Sequence, residues 1–326
     1  MRLYAAMRNG LFVTDGTETA AVRLTDHDLE CVAATGERVF CGTFDAGLFR
    51  SEDGGESFHS VGDGTIRESV MSLAIDPTDP DTVWVGTEPS AVYRSTDGGD
   101  SWEKREGLTD LPSEPNWSFP PRPHTHHVRW IEPDPYDPDH LYVGIEAGAL
   151  VQTYDAGETW EDKVPTARVD NHSLTTHPEA PGRVWSAAGD GYAESENGGD
   201  TWEYPQEGLD RRYCWSVALA PDDPSTVLLS SATGPRSAHN VDSADSAVYR
   251  KHDGEQWERL DGLPTGEGVT RTVFARGTSG GEVFAVNNRG PFKTENAGTT
   301  WQGIVAEWPT EFERMTARGL AVVGER

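Results

Sequence analysis

Short runs of alternating apolar and polar residues follow one another along this chain, separated by turns rich in Gly, Pro and Asp. One set consists of Leu73–Pro77, Val83–Thr87 and Ala91–Ser95, and comparable sets recur at similar intervals. Alternation with a period of two residues is typical of strands with one buried face. No segment has the pattern of a convincing amphipathic helix. The sequence therefore predicts an all-β protein built from repeated units.

A repeated motif lies between the third and fourth strand of most units. Its pattern is Ser/Thr-x-Asp/Asn-x-Gly-x-Ser/Thr followed by an aromatic residue. The Asp or Asn can accept backbone hydrogen bonds, the Gly permits positive φ, and the aromatic residue begins the next strand. This recurrence predicts a repeat architecture. The full copies are Ser51–Phe58, Ser95–Trp102, Thr153–Trp160, Ser195–Trp202 and Thr294–Trp301, and His252–Trp257 is a shorter sixth.

The number of units predicts seven blades. Six full units fit between Leu29 and Gln302. The N-terminal segment resembles the second, third and fourth strands of a unit, and Ala317–Val323 has the pattern of the missing first strand. Pairing of the two segments would remove exposed sheet edges. We therefore expect residues 1–326 to form one domain, a seven-bladed β-propeller of four-stranded antiparallel blades closed by its N- and C-terminal strands.

The repeated motif resembles the Asp box of the BNR-repeat superfamily. That superfamily includes sialidases, some glucanases, the sortilin receptors and photosystem II assembly factors. The resemblance implies a β-propeller with the Asp boxes on its outer rim, away from the ligand face, so Asp53, Asp97 and Asp155 are expected to be structural. Sialidases of this group carry an Arg-Ile-Pro motif and six blades. This sequence has no Arg-Ile-Pro, which argues against a typical sialidase.

Composition narrows the environment and the partners. The net charge is −28, from 55 acidic and 27 basic residues, and only four of the basic residues are lysines. Such an acidic, lysine-poor chain suggests a salt-in halophile, in which carboxylates preserve solubility. The charge argues against nucleic-acid binding, which requires a basic surface. Neither a signal peptide nor an apolar run long enough to span a membrane is predicted, so we expect a soluble, cytoplasmic protein.

Three cysteines, Cys31, Cys41 and Cys214, form an odd set without the spacing of a metal site. Cys31 and Cys214 fall inside predicted strands. We expect these cysteines to be buried, reduced thiols.

The ligand face is predicted from strand direction. Because strands in a blade alternate in direction, the loops between blades and the loops between second and third strands share the face opposite the repeated motif. Two insertions belong to that face, Glu103–Thr125 and Ser231–Ser246. Long loops in compact domains are often functional, although surface decoration is the alternative.

The first strand of each unit is expected to line the central channel. One position near the start of this strand is occupied around the ring by Arg318, Glu30, Met71, His127, His172, Trp215 and Arg271. The next inward position is aliphatic in most units, with Arg129 as the exception. Further polar residues are expected just above this ring, namely Arg67, Glu68, His124, His126, Arg168, Asp170, Asn171, Arg211, Arg212 and Tyr213.

These polar residues predict a binding site at the channel mouth. Arginines in so acidic a protein suit an anionic small molecule or glycan, and a protein partner is equally compatible with the fold. His127 and His172 could act as an acid–base pair, or bind a metal with His126 or Asp170 as a third ligand. We expect a binding protein. The alternative is a hydrolase or lyase acting on an anionic glycan or small molecule, with Arg271 and Arg318 as anion clamps. The sequence identifies no cofactor.

Overall fold

The computed structural model describes residues 1–16, 20–304 and 307–324. Its strands form seven antiparallel sheets, called blades I–VII. In chain order, strands β1–β3 are Arg2–Met7, Gly10–Thr14 and Ala20–Arg23; β4–β7 are Leu29–Thr35, Arg38–Thr43, Leu48–Ser51 and His59–Val61; and β8–β11 are Ser69–Ile75, Val83–Glu88, Val92–Ser95 and Glu103–Arg105.

The second half of the chain continues in the same way. Strands β12–β14 are Val128–Pro133, Leu141–Ile145 and Ala149–Thr153, and β15–β17 are Asn171–Thr176, Val184–Ala188 and Gly191–Ser195. Strands β18–β22 are Tyr213–Ala220, Asp223–Ala232, Asp245–His252, Glu258–Arg259 and Gly266–Glu267; β23–β26 are Val273–Arg276, Val283–Asn287, Gly290–Thr294 and Gln302–Gly303; and β27 is Ala317–Val323.

Each blade contains consecutive strands, except blade I, which combines β27 with β1–β3. Blades II to VII begin at β4, β8, β12, β15, β18 and β23. In blades IV and V the fourth strand is reduced to single bridges, Gln152 to Glu161 and Glu194 to Glu203. The described helices are short: one α-helix, α1 at Pro235–His239, and 3-10 turns at Leu108–Asp110, Glu114–Asn116, Val241–Ser243 and Thr310–Arg314.

The ring closes through the first strand of every blade. Strands β27, β4, β8, β12, β15, β18 and β23 contact one another in this cyclic order, and β23 returns to β27. Within blade I, β27 pairs antiparallel with β1 from Arg2 opposite Val323 to Ala6 opposite Gly319. The seven-bladed propeller and its closure by the two terminal segments are confirmed.

Each full copy of the repeated motif forms a turn, called the repeated turn below, whose polar groups hydrogen-bond to one another. Asp97 accepts hydrogen bonds from the Ser101 amide at 2.9 Å and the Ser101 hydroxyl at 2.6 Å. Ser95 Oγ accepts a hydrogen bond from the Gly99 amide at 2.8 Å and donates one to Asp97. The hydroxyl and amide of Ser101 lower the pKa of the Asp97 carboxyl to about 2. The equivalent Asp53 and Asp155 make the same contacts with Ser57 and Thr159, as expected for structural residues.

The same turn packs on the preceding blade. Gly99 has φ of 91°, and a Cβ placed on it would lie 2.8 Å from Phe40 Cε1 in blade II. A Cβ placed on Gly55 would lie 3.0 Å from Tyr4 Cε1, and one placed on Gly199 would lie 2.9 Å from Tyr142 Cε1. Phe40, Tyr4 and Tyr142 are fully buried. Glycine is therefore required both for the backbone conformation and for contact between blades.

The three cysteines are free and buried, in agreement with the sequence expectation. Within the described residues, no helix has the length and apolar character needed to cross a membrane.

Candidate functional site

A cavity of about 610 Å³ opens on the face opposite the repeated turns. Its walls come from the beginnings of first strands, from loops between blades and from loops joining second to third strands. Both insertions border it, through Phe119–Arg122 and Pro235–His239. Of the site residues expected from sequence, seven line the cavity: Glu30, His127, Arg129, Asp170, Tyr213, Trp215 and Arg318.

Trp215 forms an aromatic floor that is held by cations and by a histidine. The guanidinium carbon of Arg271 lies 3.5 Å from the Trp215 ring centroid, and that of Arg129 lies 4.9 Å away. The His172 ring packs on Trp215 with a centroid separation of 4.2 Å. Arg271 and His172 are fully buried and do not line the cavity, although the sequence placed both at its mouth. Trp215 covers them, so they support the floor from within.

Arg318 and Arg122, both in the cavity wall, pair with carboxylates. Arg318 Nη1 lies 3.0 Å from Glu30 Oε2. Arg122, from the first insertion, makes a two-pronged pair with Glu88 at 2.7 and 2.5 Å and stacks on Phe119. These pairs fix the guanidinium planes while leaving part of each group directed at the cavity.

One side of the cavity contains a cluster of carboxylates and histidines. His127 Nε2 lies 2.9 Å from Glu146 Oε2, and Arg129 Nε lies 3.7 Å from the same oxygen. His172 Nε2 lies 3.7 Å from Glu146 Oε1 and 3.8 Å from Asp170 Oδ2. Glu146, Asp170 and His172 are called the carboxylate–histidine cluster below.

The side chains of the carboxylate–histidine cluster and the neighbouring His127 have pKa values that are shifted in different directions. Burial alone would raise the pKa of Glu146, but the hydrogen bond to His127 together with the positive charges of His127 and Arg129 holds that pKa well below the usual range. Burial opposes charge on His127, but hydrogen bonds to two glutamates raise its pKa. Burial and then the charge of Glu146 raise the pKa of Asp170 to about 6, whereas burial lowers that of His172 to about 4. A proton-exchanging carboxyl thus lies beside a neutral imidazole.

A chain of hydrogen bonds runs from Arg271 through His239 to Tyr213, and the donor of each bond can be assigned. Arg271 Nε donates to His239 Nδ1 at 3.2 Å. Burial and the charge of Arg271 lower the pKa of His239 to about 2, so the neutral ring carries its proton on Nε2 and donates it to Tyr213 Oη at 3.3 Å. His172 Nδ1 donates to the Cys214 carbonyl at 2.6 Å. The Tyr213 proton is therefore available to His172 Nε2, 3.4 Å away, or to a molecule in the cavity.

Three arginines that the sequence assigned to ligand binding have other partners. Arg168 stacks on Tyr204 with a guanidinium-to-centroid distance of 4.2 Å. Arg211 pairs with Asp245 at 2.6 Å, and Arg212 donates to the Leu209 carbonyl at 3.4 Å. None of the three lines the cavity, so each contributes to loop structure at its edge.

Two predicted histidines also lie outside the cavity lining. His126 lies 2.8 Å from Ser90 Oγ through Nδ1 and 3.3 Å from Glu114 through Nε2. His124 is exposed. Of the two residues that the sequence offered as a third metal ligand, Asp170 lies near His172, whereas His126 bonds to Ser90 and Glu114.

Glu88 and Glu146 were not predicted from the sequence. Glu88 is the last residue of the second strand of its unit, and Glu146 directly follows the second strand of the next unit. The segments Val85-Gly-Thr-Glu88 and Val143-Gly-Ile-Glu146 share a Val-Gly-x-Glu pattern. Because second strands end at the ligand face, a glutamate at the end of this strand in two adjacent units predicts carboxylates at the cavity.

No protein-family model matches this chain, and no curated protein matches it in sequence. Solved structures do. An ancestral GH74 enzyme superposes with a TM-score of 0.65 at 17% identity, over 84% of this chain and 38% of that protein. The GH74 xyloglucanase from Xanthomonas campestris gives 0.61 at 15% identity, over 85% of this chain and 45% of the enzyme. YCF48 bound to a D1 peptide gives 0.56 at 18% identity, over 87% and 84%.

These similarities establish the fold. The chain is a seven-bladed β-propeller with structural neighbours among GH74 enzymes and YCF48. It spans less than half the length of the two GH74 enzymes but most of YCF48. At this identity, activity and partners do not follow from fold.

Proposed function

We propose that the cavity binds a ligand through a carboxylate group, which an acidic sugar or an acidic peptide segment would present. The observation that carries this proposal is the packing of Arg129 and Arg271 on Trp215, with Arg318 in the wall of the same cavity, in a protein of net charge −28. Guanidinium groups match a carboxylate geometrically and keep their charge when buried. The proposal includes membership of the Asp-box superfamily and a salt-rich cytoplasm as the working environment.

The donors of these arginines are not all satisfied within the described residues. Arg318 Nε and Arg129 Nε are buried without a hydrogen-bond partner there, and both residues line the cavity. Buried polar groups usually have partners, and a bound oxyanion would supply acceptors. Arg318 lines the cavity and is the residue expected to contact the ligand, whereas Arg271 acts through the field it adds. The rings of Trp215 and Phe119 offer apolar surface beside it, as suits a sugar ring or a peptide side chain.

The two groups of similar structures favour different ligands: YCF48 favours a peptide, and the GH74 enzymes favour a sugar. YCF48 is similar over most of both chains, and one of its structures contains a bound peptide. The GH74 neighbours are enzymes, one of them a xyloglucanase. Because the carboxylate is common to both ligand types, the experiment tests both.

Isothermal titration calorimetry in about 2 M KCl would use glucuronate, galacturonate oligomers and short peptides with acidic C-termini. We expect the wild type to bind at least one class. Loss of a charged hydrogen bond should weaken that binding roughly 10-fold or more in Arg318→Gln. Arg8→Gln is the matched control, because Arg8 lines the same cavity but is largely exposed and pairs with Asp28. The proposal fails if no probe binds, or if both variants lose affinity equally.

A hydrolase or lyase is the second candidate, and the carboxylate–histidine cluster is the observation that favours it. Asp170 lines the cavity and has a pKa raised to about 6 by burial and by Glu146. It is therefore better placed as a general base than His172, which is buried, or His127, whose pKa is raised by hydrogen bonds to two glutamates and whose ring is buried.

The two enzymatic reactions leave different products on a uronic-acid oligomer. A hydrolase would add water across the glycosidic bond. A lyase would remove the proton beside the carboxylate and expel the leaving sugar, forming a C=C bond. Reducing-end and ultraviolet assays distinguish these reactions, and Asp170→Asn should abolish either activity. Oligomers that remain intact with the wild type, although they bind, would exclude catalysis on them.

A further inference from the structure

We infer that Glu146, Asp170 and His172 form a binding site for a divalent transition cation, of which Zn²⁺ and Mn²⁺ are the best matches. Glu146 Oε1, Asp170 Oδ2 and His172 Nε2 all lie within 4.8 Å of one another. They come from separate points on blades IV and V: the end of β13, the segment before β15, and β15 itself. The inference does not depend on carboxylate binding by the arginines.

Each of the three side chains is held by its other polar atom. His172 Nδ1 donates to the Cys214 carbonyl at 2.6 Å, so Nε2 carries the lone pair, which faces the two carboxylates and the Tyr213 hydroxyl, 3.4 Å away; an incoming cation would displace that hydroxyl. Asp170 Oδ1 accepts from the Ala147 amide at 2.9 Å. Glu146 Oε2 is bonded to His127 at 2.9 Å. Metal ligands are typically oriented in this way, with the second atom of each side chain bonded to the protein.

The remaining atoms face one another without bonding. His172 Nε2 is 3.7 Å from Glu146 Oε1 and 3.8 Å from Asp170 Oδ2, both too far for a hydrogen bond. Three electron-rich atoms at this spacing repel one another, and a cation placed between them removes the repulsion. The His172 ring is fully buried and stacks on Trp215, so its position is fixed before any ion enters.

The donor types narrow the identity of the ion. One imidazole nitrogen with two carboxylate oxygens suits Zn²⁺ or Mn²⁺, whereas Ca²⁺ and Mg²⁺ prefer oxygen donors alone. The Asp170 side chain is 27% exposed, so a coordination position of the ion on the cavity side would be open to water or a ligand. His127 and Arg129 lie beside Glu146 and offset part of the carboxylate charge.

The test is calorimetric titration of the wild type with ZnCl₂ and with MnCl₂ alone, in about 2 M KCl to screen the acidic surface. We expect one ion per protein, removable by a chelator. Asp170→Asn and His172→Gln should each weaken binding at least about 10-fold. Asp170 is partly exposed, so Asp170→Asn provides the test if His172→Gln does not fold.

Asp28→Asn is the matched control, because it removes one carboxylate from the same cavity outside the cluster. It should change the dissociation constant by less than about 2-fold. Arg318→Gln should retain the ion, which separates this site from carboxylate binding. In Co²⁺-loaded protein, His172→Gln should also shift the visible absorption of the ion. Absence of stoichiometric binding, or equal losses in Asp28→Asn and Asp170→Asn, would overturn the inference.

Discussion

Gly99 tests how strongly the repeated turn contributes to cohesion between blades. In Gly99→Ala the new methyl group would lie 2.8 Å from Phe40 Cε1 and 3.0 Å from Cζ. The φ of 91° would also force alanine into a left-handed conformation. The backbone term costs about 1–2 kcal/mol. Overpacking against a fully buried ring adds roughly 1–3 kcal/mol, so the expected loss of unfolding free energy is about 2–5 kcal/mol.

Gly254→Ala is the control that separates the two terms. Gly254, in the shortened sixth copy of the turn, has φ of 78°, and no heavy atom lies within 4 Å of the position that its new methyl group would take. Only the backbone term of about 1–2 kcal/mol should apply to it. Urea unfolding at constant salt, followed by tryptophan fluorescence, gives both free energies from the transition midpoints.

Equal losses in the two variants would refute the contact with Phe40 as a source of stability. A double variant provides an independent check. If the clash with Phe40 is real, Gly99→Ala combined with Phe40→Leu should lose less than the sum of the single variants, because the smaller side chain makes room for the methyl group.

Three further outcomes are expected. Burial opposes ionisation of Glu88, but His127 and Arg122 lower its pKa from 4.5 to about 2. Its stabilising contribution is thus present above pH 4.5 and lost as pH falls toward 2, so the stability deficit of Glu88→Gln should shrink over that range. Truncation before Ala317 removes the first strand of blade I, and the thermal midpoint should fall sharply; an unchanged midpoint would contradict the ring closure. Burial raises the pKa of Cys214 to about 12, so a thiol reagent should label it only after denaturant is added.

The fold was accessible from sequence because each of its determinants is local. Alternation gives the strands, and the repeated turn gives their register. Counting units then leaves three N-terminal strands and one C-terminal strand outside the six full units. Pairing of β27 with β1 completes a seventh four-stranded blade and covers the inner edge of β1.

The site was only partly accessible, since side-chain direction is not a property of strand register. Arg271 and Arg318 occupy equivalent positions, yet one is covered by Trp215 and the other lines the cavity. The difference arises from a bulky neighbour on the adjacent blade. His239 shows the same limit: it reaches Arg271 because the insertion that carries it folds into α1 over blade VI, a contact that no repeat pattern encodes.

The composite blade I has a consequence for protein synthesis. Strands β1 to β3 leave the ribosome first, and β27 follows about 300 residues later, roughly 15–60 seconds at ordinary translation rates. Throughout that interval the inner edge of β1 lacks its partner. On a message carrying several ribosomes, a finished β27 from one chain could pair with the waiting β1 of the next. The nascent protein is therefore exposed to strand exchange between copies until its own last strand is released.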